Sequence, residues 1–273
     1  MSAPRVAVVT GGNKGIGFAI VKSLATQFEG DVILAARDPS RGQQSQTDLE
    51  KQSVRVIYQQ LDISNSESIQ EFKNFLEKKY GGLDVLVNNA AIAYKPASTA
   101  PLAEQARETV RVNFTGTLNV CRALFPLLRP HARVVNVASS VGHLKILKPN
   151  LQQQFASDSL TESKLEMLMN QFVSDVEAGI HVEKGWPNPF SAYGTSKVGL
   201  IALTKVSARQ MSTGDKEDIL VNSCCPGWVK TDMAGDRAPL TPEQGAETPV
   251  FLAFLPPGSP TGLFFKRKKV VDW

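Results

Sequence analysis

The 273-residue sequence is short of several things, and each shortage closes off a class of explanation. Cysteine occurs only three times, at Cys121, Cys224 and Cys225, too few for a disulfide framework and without the spacing of a metal site. No apolar run approaches the roughly 18 residues of a membrane span. No leader-like apolar segment follows Met1–Arg5, and Val271-Asp272-Trp273 carries no lipidation signal. A reducing, cytoplasmic setting with no membrane partner is the expectation. An excess of one charge is also missing, since 30 Lys and Arg face 26 Asp and Glu. Basic residues cluster only at Lys266-Arg267-Lys268-Lys269, with no aromatic stacking platform beside them. That run reads as a solvated edge, and nucleic acid is not an expected partner. With no repeat, linker or low-complexity stretch, and 42% hydrophobic and 21% charged residues, residues 1–273 read as a single globular domain.

What is present begins with Val6–Val9, a short apolar run of the kind buried in parallel sheets. It enters Thr10-Gly11-Gly12-Asn13-Lys14-Gly15-Ile16-Gly17, and apolar residues then recur at helical spacing through Ile16, Ala19, Ile20 and Leu24. Glycines between a strand and a helix let backbone approach a ligand and leave N–H groups facing an anion at the helix start. The pattern is T-G-x-x-x-G-x-G, which differs from the G-x-G-x-x-G dinucleotide fingerprint. Asn13, Lys14 and Ile16 lie within it. The second strand, Asp31–Ala36, ends at Arg37, where an acidic residue would meet a free ribose 2′-hydroxyl and an arginine accommodates a 2′-phosphate. Arg37 and Lys14 together favour NADP(H), against the alternative of an exposed loop arginine.

Further strands are expected at Val54–Gln59, Leu83–Val87, Arg133–Val137, Ile219–Cys224 and Gly262–Phe265. Helices are expected after the second strand, at Ser66–Lys79 and after Thr241. Asp62, beside Ile63, either caps the next helix or meets an adenine edge. Asn88-Asn89 are adjacent amides that need partners if buried. Asn113 stands in the next helical segment, Ser139 follows the fifth strand, and Val229 and Thr231 fall in the loop after the sixth. Alternating strands and helices predict an α/β doubly wound parallel sheet, a Rossmann fold, with ligands beyond the carboxyl ends of its strands. Residues 143–190 read as a helical insertion. In it Ser159-Leu160-Thr161-Glu162 fits a capping box, and an apolar stripe runs from Leu165 to Val176 with its methionines serving packing. The Trp186–Pro189 stretch returns the chain to a loop.

The chemistry centres on Ser191-Ala192-Tyr193-Gly194-Thr195-Ser196-Lys197. A lysine four residues after a tyrosine shares its helix face and is expected to lower the phenol pKa. Taken alone, the pair is better read as a solvated helix face.

Taken in order, Thr10-Gly11-x-x-x-Gly15-x-Gly17, Asn88-Asn89-Ala90, Asn113, Ser139, Tyr193-x-x-x-Lys197 and Pro226-Gly227 resemble the short-chain dehydrogenase/reductase family. Gly11–Gly17, Ala36-Arg37-Asp38, the long segment before Tyr193 and Cys224-Cys225-Pro226-Gly227-Trp228 narrow the resemblance to monomeric animal NADPH-dependent carbonyl reductases. The resemblance implies an oxidoreductase acting on quinones, aldehydes, ketones, prostaglandins or steroids. Tyr193 would donate the proton, Lys197 would lower its pKa and bind the nicotinamide ribose, Ser139 would hold the carbonyl, and Asn113 would hold a relay water. Cofactor contacts are implied at Gly11, Asn13, Lys14, Gly15, Ile16, Gly17, Arg37, Asp62, Ile63, Asn89, Tyr193, Lys197, Val229 and Thr231. A glutathione-conjugate site is implied around Tyr94, Lys95, Pro96 and Gln105, with Trp228 on the substrate side and Cys225 near the cleft. A monomer follows from the insertion. Ala91 departs from the family's Asn-Asn-Ala-Gly, and its methyl would be costly at positive φ or against the cofactor. A hydroxysteroid dehydrogenase is the competing enzyme reading, and a non-catalytic NADP-binding regulator the competing reading from another class.

Overall fold

In the computed structural model, which describes residues 4–95, 97–188 and 191–273, strands and helices alternate along the chain. The strands are β1 (Val6–Thr10), β2 (Asp31–Ala36), β3 (Ile57–Gln60), β4 (Leu83–Asn88), β5 (Leu128–Val137), β6 (Leu220–Cys225), β7 (Phe264–Lys266) and β8 (Lys269–Val270). The helices are α1 (Gly15–Ala25), α2 (Pro39–Glu50), α3 (Ser66–Tyr80), α4 (Leu102–Thr109), α5 (Thr117–Leu124), α6 (Pro149–Ala156), α7 (Glu162–Glu177), α8 (His181–Lys184), α9 (Ser191–Ser212) and α10 (Pro242–Ala253).

One sheet holds all eight strands in the order β3-β2-β1-β4-β5-β6-β7-β8. Every pairing is parallel except β7 with β8. Along β1, Ala7 and Val9 pack into the layer under α1 and α10, while Val6 and Val8 pack under α3 and α5. Covering both faces explains why the strand is wholly apolar rather than alternating. Strand order reverses between β1 and β4, which opens a crevice at their carboxyl ends.

Some boundaries differ from the sequence reading. Val54 and Val56 are buried, but the ladder to β2 begins only at Ile57 paired with Ile33, so β3 is shorter than its apolar run. β5 starts earlier, at Leu128, and β6 ends one residue later, at Cys225. The strand expected at Gly262–Phe265 is Phe264–Lys266, and the basic run turns from it as an exposed hairpin into a further short strand, β8. Helix α7 is capped by Thr161, whose hydroxyl accepts the Lys164 N–H, and not by Ser159, which bonds Ser157. Thr241 and Gln244 make the reciprocal capping box of α10.

Helix α7 lies against α9. A Cβ added to Gly199 would stand 2.6 Å from the Met169 sulfur, so the helices touch with only a hydrogen between them. Met169 is fully buried there, whereas Met167 is 70% exposed and does not pack. Trp186 stacks edge-on between Phe155 and Phe172, and its indole N–H is satisfied by buried Asp175 at 2.7 Å. Pro189, at the end of that loop, lies outside the described residues. Among the described residues no helix is long and apolar enough to cross a membrane.

Candidate active site

The glycine turn joins β1 to α1 at the crevice. Gly11 and Gly15 sit at φ 64° and 53°, a left-handed conformation that favours glycine. A Cβ on Gly17 would stand 2.2 Å from the Gly11 carbonyl oxygen, so the turn folds back on the helix with no space for a side chain. Thr10 and Asn89 hold this geometry. The Thr10 hydroxyl accepts the N–H groups of Asn89 and Ala90, both at 3.0 Å, and Asn89 Nδ2 donates to the carbonyls of Thr10 and Gly11. Helix α1 has no side-chain cap, and the Gly15, Ile16 and Gly17 N–H groups find no acceptor among the described residues. Those donors, at the positive end of the helix, fit a pyrophosphate.

A groove of about 650 Å³ runs along this turn, lined by Asn13, Lys14, Arg37, Asp62 and Ile63 among others. Arg37 has no ion-pair partner among the described residues, and Arg41, which sequence reasoning passed over, lines the groove from the first turn of α2. Lys14 reaches Asp232 at 2.8 Å in an exposed pair. Arg37 just past β2, with Lys14 of the glycine turn and Arg41 of α2 along the same groove, suits a 2′-phosphate better than a bare ribose. Asp62 is not the cap of α3, a role taken by Asn65. Its carboxylate accepts from the Ser64 N–H and hydroxyl. Ala91 lines the groove, and it is absent from the residues with positive φ, so its methyl carries no backbone strain. The Val229 side chain does not reach the groove. It is buried against Gly245 and faces the neighbouring cavity.

Asn113 lies in a π-helical turn, Val110–Gly116, between α4 and α5. Both of its side-chain donors are spent: Nδ2 donates to the Ile92 carbonyl and to Ser196 Oγ, while Oδ1 accepts the Ile92 N–H at 2.8 Å. It locks the segment after β4 to α9, which leaves no side-chain donor for a relay water. Ser139 follows β5 and opens a short turn through Gly142, its hydroxyl accepting the Val141 N–H at 3.3 Å.

Tyr193 and Lys197 share one face of α9, as their spacing predicts, but the electrostatics differ from expectation. Lys197 is 2% exposed, donates to the Val137 carbonyl at 2.9 Å, and lies 5.4 Å from the Tyr193 ring centroid. Burial pushes the Tyr193 phenol up to about 12 and the Lys197 ammonium down to about 8. Desolvation sets the phenol's shift, and the phenol is protonated at neutral pH. That is the state a proton donor requires.

A second cavity, about 1380 Å³, opens beside the groove. Ser139 lines only this cavity, Lys197 only the groove, and Tyr193 lines both. Trp228, 56% exposed, forms part of the cavity wall, and Cys225 is a buried free thiol facing it. Lys95 reaches the cavity, but Tyr94 bonds Glu104 and Gln105 bonds the Ala100 carbonyl, so neither is turned toward it. Pro96 lies outside the described residues. Among the described residues no cluster of His, Cys, Asp and Glu could hold a metal ion.

The short chain dehydrogenase family profile matches residues 5–149 and 181–240, leaving the stretch from α6 to α7 between the two matched segments. The chain is 51% identical to the protein named carbonyl reductase (NADPH) 1 of Rattus norvegicus, with 100% of both chains covered. It is also 51% identical to the protein of the same name in Homo sapiens, covering 100% of this chain and 99% of that one. Among solved structures, salutaridine reductase from Papaver somniferum superposes with a TM-score of 0.87 at 33% identity, over 96% of this chain and 99% of that chain.

Proposed function

The chain belongs to the short chain dehydrogenase family, and we propose that it reduces carbonyl compounds to alcohols with NADPH. The observation that carries this reading is Tyr193, standing on the wall between a groove fitted to a dinucleotide phosphate and a cavity fitted to a substrate. Bound in the groove, the reduced nicotinamide supplies a hydride for the carbonyl carbon. The protonated Tyr193 phenol supplies the proton for the oxygen, and Ser139 donates a hydrogen bond to that oxygen as its negative charge develops. Lys197, held by the Val137 carbonyl, presents its ammonium to the nicotinamide ribose. Asn113 acts through position, by tying the Ile92 segment to α9.

The substrates are quinones, aldehydes and ketones, with prostaglandins and steroids admitted by the size of the cavity. Glutathione conjugates are a weaker proposal, supported at the cavity only by Lys95. Residues 143–190 are read as an insertion, supported by the interruption in the family match. A monomer is supported by α7, which covers the face of α9 that would otherwise be open to a partner. Three free thiols are compatible with a reducing cytoplasm.

The test is oxidation of NADPH in the presence of menadione by wild type and by Tyr193→Phe. Loss of at least a hundredfold in kcat is expected for the variant, on the order of the contribution of a general acid. Equal rates would overturn the assignment.

A further inference from the structure

The chain beyond β6 turns back onto the loop that carries Ser139. Strands β7 and β8 are joined through Arg267 and Lys268, at φ 51° and 61°. A two-residue hairpin of that handedness favours Asn and Gly, so the reversal is made at some cost in strain. It returns Val271 alongside Phe264, whose carbonyl accepts the Val271 N–H at 2.9 Å. Trp273 then donates its indole N–H to the Gly142 carbonyl at 2.7 Å, with the Lys205 ammonium 5.5 Å from its ring centroid. Phe264 meets the His143 ring edge-on at 5.8 Å, giving the same loop a second contact.

Gly142 closes the turn that Ser139 opens, its N–H donating to the Ser139 carbonyl at 2.9 Å. It also has no free side. A Cβ there would stand 2.7 Å from the Lys197 carbonyl carbon and 2.8 Å from Lys197 Cβ. The turn is therefore held between the backbone of α9 and the indole of Trp273. Within the turn itself the Ser139 hydroxyl is restrained only by the long contact with the Val141 N–H, so its placement depends on what holds the turn from outside.

We propose that Trp273 is a positioning residue: by holding the Gly142 carbonyl it presses the Ser139 turn onto Lys197 and sets the Ser139 hydroxyl relative to Tyr193. This rests on the roles given above to Ser139 and Tyr193. Trp273 is remote from the glycine turn and touches neither the groove nor the phenol. Its loss acts on turnover and leaves dinucleotide binding alone. Displacements of about 1 Å at a reacting centre can cost up to about a hundredfold, and a loosened hydroxyl should cost less.

The experiment is Trp273→Phe, which keeps an aromatic ring and removes the donor. The expected result is a loss of about tenfold in kcat for menadione, with KM for NADPH unchanged within about twofold. Amide hydrogen exchange in the 139–142 segment should quicken while the glycine turn keeps its protection. The deciding comparison repeats the substitution in a Ser139→Ala background, where the further loss should disappear. The same tenfold loss in both backgrounds, or an unchanged kcat in Trp273→Phe, would overturn the brace. A Ser139→Ala enzyme with the wild-type rate would instead overturn the role of Ser139 itself, and the brace with it.

Discussion

Lys197 lies one helical turn beyond Tyr193, yet its ammonium bonds the Val137 carbonyl at 2.9 Å and stays 5.4 Å from the Tyr193 ring centroid. The lysine thus ties α9 to the end of β5, and the phenol remains in its neutral form. Burial sets both protonation equilibria, in opposite directions.

The pH dependence of turnover follows. A Lys197 pKa of about 8 means the ammonium is charged below that pH and lost above it. Reduction should be steady between about pH 6 and 7.5 and fall as pH rises through about 8, while Tyr193 stays protonated. A pH–rate profile that stays flat to about pH 9.5 would contradict a turnover that depends on a Lys197 ammonium titrating near 8.

Stability moves the other way. The folded pKa of about 8 lies below the ordinary 10.5, so the unfolded chain binds more protons between those values and Lys197 makes folding more favourable as pH rises through that window. Lys197→Met removes this cost at neutral pH. It should abolish measurable turnover and leave Tm equal or a few degrees higher in thermal melts, a function-for-stability exchange. A Tm several degrees lower would mean that the bond to Val137 outweighs the desolvation.

Gly17 tests the phosphate cradle. Gly17→Ala forces a methyl to within 2.2 Å of the Gly11 carbonyl, which rigid backbone cannot absorb. The turn should shift, weakening NADPH binding at least tenfold in a fluorescence titration and lowering stability by about 1–3 kcal/mol. Unchanged affinity would place the pyrophosphate elsewhere.

Cofactor choice rests on Lys14, Arg37 and Arg41. Asp232→Asn releases the Lys14 ammonium from its exposed pair, which solvent screens and which contributes little to stability. NADPH should bind more tightly in the variant, NADH should not, and Tm should barely move. Arg37→Asp should lower kcat/KM for NADPH by about tenfold or more and raise it for NADH. Parallel assays with the two dinucleotides decide both, and a wild-type preference for NADH would defeat the reading outright.

Far from the site, Asp218 accepts the Gly258 N–H, meets His131 at 3.1 Å and pairs with buried Arg133 at 2.9 Å, and against the cost of burial these bonds hold its carboxyl down at about 2. Because the folded value lies below the ordinary 3.8, this stabilisation is present above that pH and is lost as pH falls toward 2. Asp218→Asn should destabilise the fold at pH 7 by about 1–3 kcal/mol, and the deficit should shrink in urea melts at pH 3. A deficit independent of pH would assign the effect to packing.

The sequence by itself determined the strand–turn–helix frame, because apolar periodicity and glycine spacing are local consequences of covalent geometry and burial. It also placed Tyr193 and Lys197 on one helix face, since 3.6 residues per turn allows nothing else. Asn89 was legible as an amide needing partners, and Thr10 and Gly11 prove to be those partners. Tertiary structure alone decided where each polar group spends its hydrogen bonds. Asn113 is consumed by Ile92, a contact 21 residues away in sequence, and Tyr94 and Gln105 turn to neighbours in their own segment. Desolvation likewise depends on how densely other elements pack, which is why the direction of the Tyr193 shift could not be read from its spacing to Lys197. The contact from Trp273 to Gly142 spans 131 residues and has no local signal at all. Periodicity reports only which face of an element is covered, and the fold decides what covers it.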